Sequence, residues 1–297
     1  MFSILCTKLT GRQRGLSKLR VRTRSPLLLA YPTTTAIPPP SKYGMLHGDR
    51  LILDHMPFLR SIALIPDRIK PGQHPFNIPC LAHGLDLTFK TNVTFLVGEN
   101  GSGKSTILEA IAEKCGFNLS GGNRDHQYLL DRALSDLPSA TKLTWNQKTV
   151  EGFFMRAETF FNFATYLDEV GSTFRAYGGK SLHQQSHGES FLSLFVNRFE
   201  SGLYILDEPE AALSPARQLS FLTIIHDLEA SGQAQFIIAT HSPIILSYPG
   251  ATILNLDGDR ISEIEYKQTS HYKLTREFLA CPERYFRHLF ADADEDS

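Results

Sequence analysis

The stretch GENGSGKST, Gly98 to Thr106, decides the fold. It fits the pattern G-x-x-x-x-G-K-[S/T] through Gly98, Gly103, Lys104 and Ser105. It also stands between the apolar run VTFLV and the helical pattern KSTILEAIAEKC, the context this motif requires. Its glycines let the chain curl so that loop N–H groups face phosphate oxygens, across Gly98, Glu99, Asn100, Gly101, Ser102, Gly103, Lys104, Ser105 and Thr106. The N-terminus of the following helix adds its positive dipole end. In this reading Lys104 reaches the β- and γ-phosphates of a nucleotide, and Ser105 reaches a Mg2+ ion.

Outward from the loop, short β-rich runs alternate with helical patterns. FLRSIALI, LDLTF and VTFLV read as strands, and GFFMRA, LYILD, QFIIAT and ATILNL as further ones. KSTILEAIAEKC repeats apolar residues at helical spacing through Ile107, Leu108, Ile111 and Ala112. TFFNFATYL and the stretch after Ser190 also read as helices, and SPARQLSFLTIIHDLEA opens with Ser214 as N-cap and Pro215 at the first helical position. Strands followed by helices imply parallel pairing with helical cover, so the class is α/β.

Three more places carry chemistry. LYILDEPE is a buried-strand pattern ending in Asp207 and Glu208. Two such carboxylates can simply face solvent, but downstream of a phosphate loop Asp207 is expected to hold Mg2+ and Glu208 to orient and deprotonate an attacking water. His241, in FIIATHSP, follows a strand and precedes a Ser-Pro turn, so its ring is expected at the same sheet edge as the phosphates. SHGES, Ser186 to Ser190, is Ser-x-x-Glu ahead of the apolar run FLSLFVNRF, a capping box that opens a helix. Its position must decide whether it also holds a phosphate.

Composition bounds these readings. The chain has 297 residues, 42% of them hydrophobic and 21% charged, enough to bury a full core. No run approaches the roughly 18 apolar residues of a membrane helix. Cys6, Cys80, Cys115 and Cys281 lie far apart with no C-x-x-C pair, which points to a reducing compartment and away from zinc. Residues 1–48 hold eight Lys or Arg and no acid, and run into PTTTAIPPPSK. That is the composition of an organelle transit peptide, of a disordered basic tail, or of sequence upstream of a true start at Met45 or Met56. The expected organisation is a basic extension over 1–48, one domain carrying the phosphate loop over 49–290 and an acidic tail over 291–297.

Taken together, GENGSGKST, LYILDEPE and FIIATHSP resemble the ATP-binding cassette (ABC) ATPase superfamily. SHGES then falls where that family keeps its signature loop, with Ser186 placed 21 positions ahead of Asp207. The family pattern is Leu-Ser-Gly-Gly-Gln. Here Ser186 and Gly188 are kept, Gln185 stands for Leu, His187 for the first Gly, and Glu189 for Gln. The resemblance implies that Ser186, Gly188 and Glu189 grip the γ-phosphate of ATP bound to the other subunit of a dimer. AALS, Ala211 to Ser214, stands where the family has Ser-Ala-Leu-Asp, so Ser214 replaces a dimer-facing Asp. No Gln follows GFFMRA, and Glu158 is the candidate for the Q-loop position, with Asn162 behind it. His183 and His187 have i, i+4 spacing but span a loop and a helix cap, so the expected metal ligands remain Ser105 and Asp207.

The resemblance sharpens on small stand-alone bacterial ATPases related to the heads of SMC and double-strand-break-repair proteins. The fold it implies is a P-loop NTPase of ABC type: a mostly parallel central sheet, an antiparallel β portion on the N-terminal side, and flanking helices. The connection between loop and signature, including SGGNRDHQYLLDRALSDLPSATKLTW, is too short and too broken by Gly and Pro for a coiled coil. The implied cofactors are ATP and Mg2+, with Glu208, His241 and Lys104 as the catalytic set. The implied partners are a second copy of the chain and a protein or nucleic acid, or alternatively a membrane permease. A cytoplasmic location follows, or an organelle if the extension is an import signal. A binding module that holds ATP without turnover is the remaining alternative.

Overall fold

A computed structural model describes residues 56–124, 135–160 and 187–290. Two sheets organise them. The larger has six strands in the order β5-β6-β7-β3-β8-β9: β3 is Val93–Val97, β5 Gly152–Arg156, β6 Gly202–Asp207, β7 Ala234–Ala239, β8 Thr252–Asn255 and β9 Ser262–Glu263. All its pairings are parallel except that of β9 with β8. The smaller sheet is antiparallel, in the order β2-β1-β4, with β1 Leu59–Leu64, β2 Asp86–Thr88 and β4 Thr141–Trp145. The α/β class, the mostly parallel sheet and the antiparallel portion are thus present.

Period-two alternation sends the central strands into two cores. Tyr204 and Leu206 of β6, with Phe95 of β3 and Phe236 of β7, face a cluster rich in aromatics. There Phe191 and Phe195 of the helix His187–Arg198 are joined by Phe199 just past its end, and Phe199 stacks on Tyr204 with ring centroids 4.0 Å apart. Leu203 and Ile205 point the other way, into a cluster shared with the helix Lys104–Cys115 and with Leu59 and Ile62 of β1. Gln235, fully buried in β7, ties the two sheets together. Its Oε1 accepts from Leu59 N at 2.7 Å and its Nε2 donates to Leu59 O at 3.0 Å, the pair of bonds a neighbouring strand would make.

Register brings the functional ends into line. Arg156 pairs with Asp207, Asp207 with Ala239, and Ala239 with Leu96, so β5, β6, β7 and β3 all end at one edge. Ligands of open α/β sheets bind outside such carboxyl ends.

One boundary is corrected here, and two elements that no sequence pattern had assigned are added. The helix spans His187–Arg198, with Ser190 buried inside it rather than ahead of it, and its start agrees with the capping-box reading of SHGES. TKLTW, part of the connection judged unfit for a coiled coil, is strand β4 and pairs with β1 from Leu59↔Trp145 to Leu64↔Thr141. The C-terminal stretch forms helices Ser270–Ala280 and Pro282–Leu289. TFFNFATYL begins at Thr159, which ends the 3-10 turn Ala157–Thr159, and from Phe161 on it lies outside the described residues.

Candidate nucleotide site

The phosphate loop is built around positive φ angles. Gly98, Gly101 and Gly103 stand at φ 150°, 84° and 100°, where L side chains are disfavoured. A Cβ on Gly98 would also come within 2.6 Å of Ser102 Oγ and 3.0 Å of Asp257 Oδ1. The loop is pinned from outside by Asp257, whose Oδ1 accepts from Glu99 N at 2.7 Å. Cys80 Sγ donates to Ser102 O at 3.0 Å, and burial pushes that thiol up to about 11.

Lys104 opens the helix Lys104–Cys115 and is only 4% exposed. Its ammonium donates to Gly98 O at 2.6 Å and Glu99 O at 3.0 Å, so it lies across the mouth of the loop. Burial lowers its pKa, and the charges of Glu208, Asp207, Asp257 and Glu99 oppose that shift. A cation short of hydration and held by carbonyls has spare attraction for phosphate oxygens.

At the ends of the neighbouring strands, Ser105 Oγ donates to Asp207 Oδ1 at 3.2 Å, which joins the two expected metal ligands. The other oxygen of Asp207 accepts from Arg156 Nε at 2.9 Å, and Arg156 also reaches Glu109 Oε1 at 2.8 Å. Burial pulls the Arg156 guanidinium down, but Asp207 and Glu109 outweigh it and the net shift is upward. Arg156 therefore stays charged and fixes Asp207 in place.

Glu208 follows at φ 51°, ψ 53°, the one described non-glycine residue with positive φ, and its N–H is held by Ala239 O at 2.9 Å. Its side chain is 41% exposed toward a cleft of about 490 Å³, lined by His74, Asn77, Asn100, Lys104 and Ser105 among others. His241 Nε2 lies 3.4 Å from Glu208 Oε1 and is a buried atom without a hydrogen bond among the described residues. The backbone of His241 is clamped by Glu210, whose carboxylate accepts from His241 N at 2.6 Å and from Thr240 Oγ1 at 2.8 Å. Burial raises the Glu210 pKa, and those bonds oppose the rise. Behind the ring, His241 Nδ1 and His271 Nε2 are 2.7 Å apart.

Lys104, Ser105, Asp207, Glu208 and His241 are thus gathered at one edge. Glu158 is not. It is exposed in the 3-10 turn after β5 and lines no part of the cleft, while the strand-end Arg156 holds Asp207 instead. Ser186 lies outside the described residues, as do Gln185, His183 and Asn162. Gly188 is in the first turn of its helix, and Glu189 pairs with Arg217 at 3.1 Å. Ser214 occupies the N-cap of the helix Pro215–Ala230 but makes no side-chain cap bond. Sequence reasoning missed Arg156, Glu210, Asp257 and His271. Arg156 had a signal, a lone cation ending an apolar strand, and Glu210 stands two residues past Glu208. His271 had none.

Residues 75–157 match the family model of an AAA domain. Residues 184–247 match a model described as "AAA domain, putative AbiEii toxin, Type IV TA system". No curated protein matches the chain. Among solved structures the chain is similar to cbiO1 from Clostridium perfringens, part of the ABC transporter complex cbiONQ. The identity is 15% and the TM-score 0.44, over 78% of this chain and 99% of that one. It is also similar to the SMC head domain from Thermotoga maritima, at 18% identity and TM-score 0.40 over 70% of this chain and 99% of that one. A third is the ADP conformation of MJ1267, an ATP-binding cassette of an ABC transporter, at 15% identity and TM-score 0.43 over 79% and 99%.

Proposed function

Starting from a P-loop ATPase domain consistent with the ABC-type superfamily, we propose that the chain binds and hydrolyses MgATP. We further propose that ATP-driven pairing of two copies acts as a switch on a protein or nucleic-acid partner. The observation that carries the reading is the single edge where Lys104, Ser105, Asp207, Glu208 and His241 meet. The residues fit the ligand. The loop is a cradle that a Cβ at Gly98 would fill, and His241 keeps a buried, unsatisfied Nε2 beside Glu208.

In this reading loop N–H groups and Lys104 hold the phosphates. Ser105 Oγ and Asp207 are the oxygens for Mg2+, which when bound neutralises charge on the phosphate oxygens. Glu208 takes the proton of the attacking water, and its exposure toward the cleft leaves room for that water. His241 Nε2 donates to the transferring phosphate, with its backbone fixed by Glu210. Ser186, Gly188 and Glu189 of a second copy complete the site. No described helix is long and apolar enough to cross a membrane.

The test is Glu208→Gln. It should bind ATP with near-normal affinity, lose phosphate release by roughly 10²- to 10⁴-fold, and accumulate as an ATP-bound dimer in light scattering. Unchanged phosphate release would sink the assignment of the base.

A further inference from the structure

A second cavity, of about 370 Å³, opens beside the far end of the helix Lys104–Cys115. At 1.5 Å per residue this helix carries the chain about 18 Å from the phosphate loop. Five cations surround the cavity: Arg68 from the 3-10 turn after β1, Lys114 from the last helical turn, Arg124 beyond it, Lys142 in β4, and Lys148 after β4. Among the described residues no Asp or Glu lines it, and none of the five forms an ion pair.

Like charges so close need a reason, because they repel one another across a small volume. Three of them are held in place. Arg68 donates to Ser139 O at 2.7 Å, Lys114 to Pro138 O at 3.1 Å, and Arg124 to Cys115 O at 2.6 Å. Each uses only part of its donor set, so Arg68, Lys114 and Arg124 keep N–H groups for a further acceptor. Lys142 and Lys148 are exposed and extend the positive rim. Trp145, half-buried against the core and also lining the cavity, adds an aromatic surface.

We infer that this cavity is a second anion site, which takes consecutive phosphates with a base against Trp145. That chemistry is shared by a nucleic-acid strand and a free nucleoside polyphosphate. A carboxylate ligand supplies too few charges per unit volume for five cations, whereas adjoining phosphates supply at least one each. An aromatic beside a cationic rim is the pairing by which single strands are held, with bases stacked and phosphates neutralised. The site stands whether or not the distant loop hydrolyses ATP. Because the two cavities lie at opposite ends of one helix, occupancy of either has a rigid element through which to bias the other.

Trp145 is the one tryptophan of the chain, so its fluorescence reports the cavity directly. The experiment titrates the full chain with a single-stranded oligonucleotide and, separately, with a nucleoside tetraphosphate, and repeats both with Lys142→Glu/Lys148→Glu. The quench that this double variant abolishes belongs to the cavity rather than to the phosphate loop. Expected is a variant-sensitive quench with at least one of the two ligands, weakened tenfold or more by the double substitution. Phosphate release and melting temperature should be unchanged in the variant. For a strand, the slope of log affinity against log salt should shrink by about 0.7 for each phosphate that the variant no longer neutralises. A variant-sensitive quench by the oligonucleotide identifies a strand as the source, and one confined to the tetraphosphate identifies a free nucleotide. No variant-sensitive quench with either ligand overturns the site.

Discussion

His271 Nε2 lies 2.7 Å from His241 Nδ1, with the ring planes 63° apart. One nitrogen of that pair must carry the proton and the other must not. Burial, then the neighbouring His241, lowers the His271 pKa, so His271 is held neutral. When its Nε2–H donates, His241 is left in the tautomer with its proton on Nε2, the atom beside Glu208. His271 is therefore a positioning residue for the proposed phosphate contact.

The first prediction is that His271→Leu lowers kcat by about tenfold, a fraction of the general acid–base range, and leaves the KM for ATP nearly unchanged. His271→Asn, which keeps a donor in place of the imidazole, should restore part of kcat. A loss confined to KM, or equal loss in both variants, would show that the pair only fills space.

The second concerns pH. The folded-state pKa of His271 lies below its ordinary 6.5, under the influence of burial, His241 and Lys104 and against Glu99 and Asp257. The unfolded chain then binds the proton more readily than the folded one. The stability tied to neutral His271 is present above 6.5 and is lost as pH falls through the lower, folded value. Thermal melts should show a decline on acidification from 6.5 down to that lower value and level off beneath it, and His271→Gln should flatten it. An identical pH profile in the variant would refute the assignment.

A third prediction follows from Arg156, whose side chain is 9% exposed between Glu109 and the nearly sealed Asp207. Arg156→Met leaves two carboxylates facing each other without their cation. The expected cost is about 3–5 kcal/mol in urea unfolding. The variant should also lose Mg2+-dependent ATP turnover, because Asp207 is no longer fixed beside Ser105. Near-normal unfolding would mean that the guanidinium is dispensable to the sheet edge.

The fourth tests the shared site. Lys104→Ala should weaken ATP binding by about 10- to 100-fold, the worth of hydrogen bonds to a charged group. Ser186→Arg should bind ATP as a monomer yet fail to dimerise, because the larger side chain crowds the phosphate presented by the partner copy. Mixing the two inactive chains pairs the intact loop of one with the intact signature of the other, and partial recovery of phosphate release is expected. Normal ATP-dependent dimerisation of Ser186→Arg would refute the clamp and leave SHGES as a helix cap.

What could be read from the chain was what repeats locally. The loop Gly98–Thr106, the strand ending in Asp207 and the turn after His241 each carry their pattern within about ten residues. Pairings between distant segments left no such trace. The strand Thr141–Trp145 is short and half polar, and only pairing with β1, some eighty positions earlier, makes it a strand. Arg156 gains its meaning from Glu109 and Asp207, on two other elements. Glu158 was the nearer acid to the expected glutamine position, but the turn at Ala157 leaves it exposed. The helix Ser270–Ala280 has no buried residue, and only the fold shows that it delivers His271 to His241.

The backbone of Glu208 has a consequence for how this chain can change. An L residue in the left-handed region costs about 1–2 kcal/mol, and at φ 51° Glu208 bears it in full. Glu208→Gly would release most of that strain, since glycine adopts such angles freely. A library of variants sorted for heat resistance alone should therefore discard this carboxylate early, and the winners should be inert. With Glu208 as the proposed base, heat resistance and turnover pull in opposite directions at this one position, and a sturdier form that keeps the proposed activity must find its gains elsewhere in the sheet.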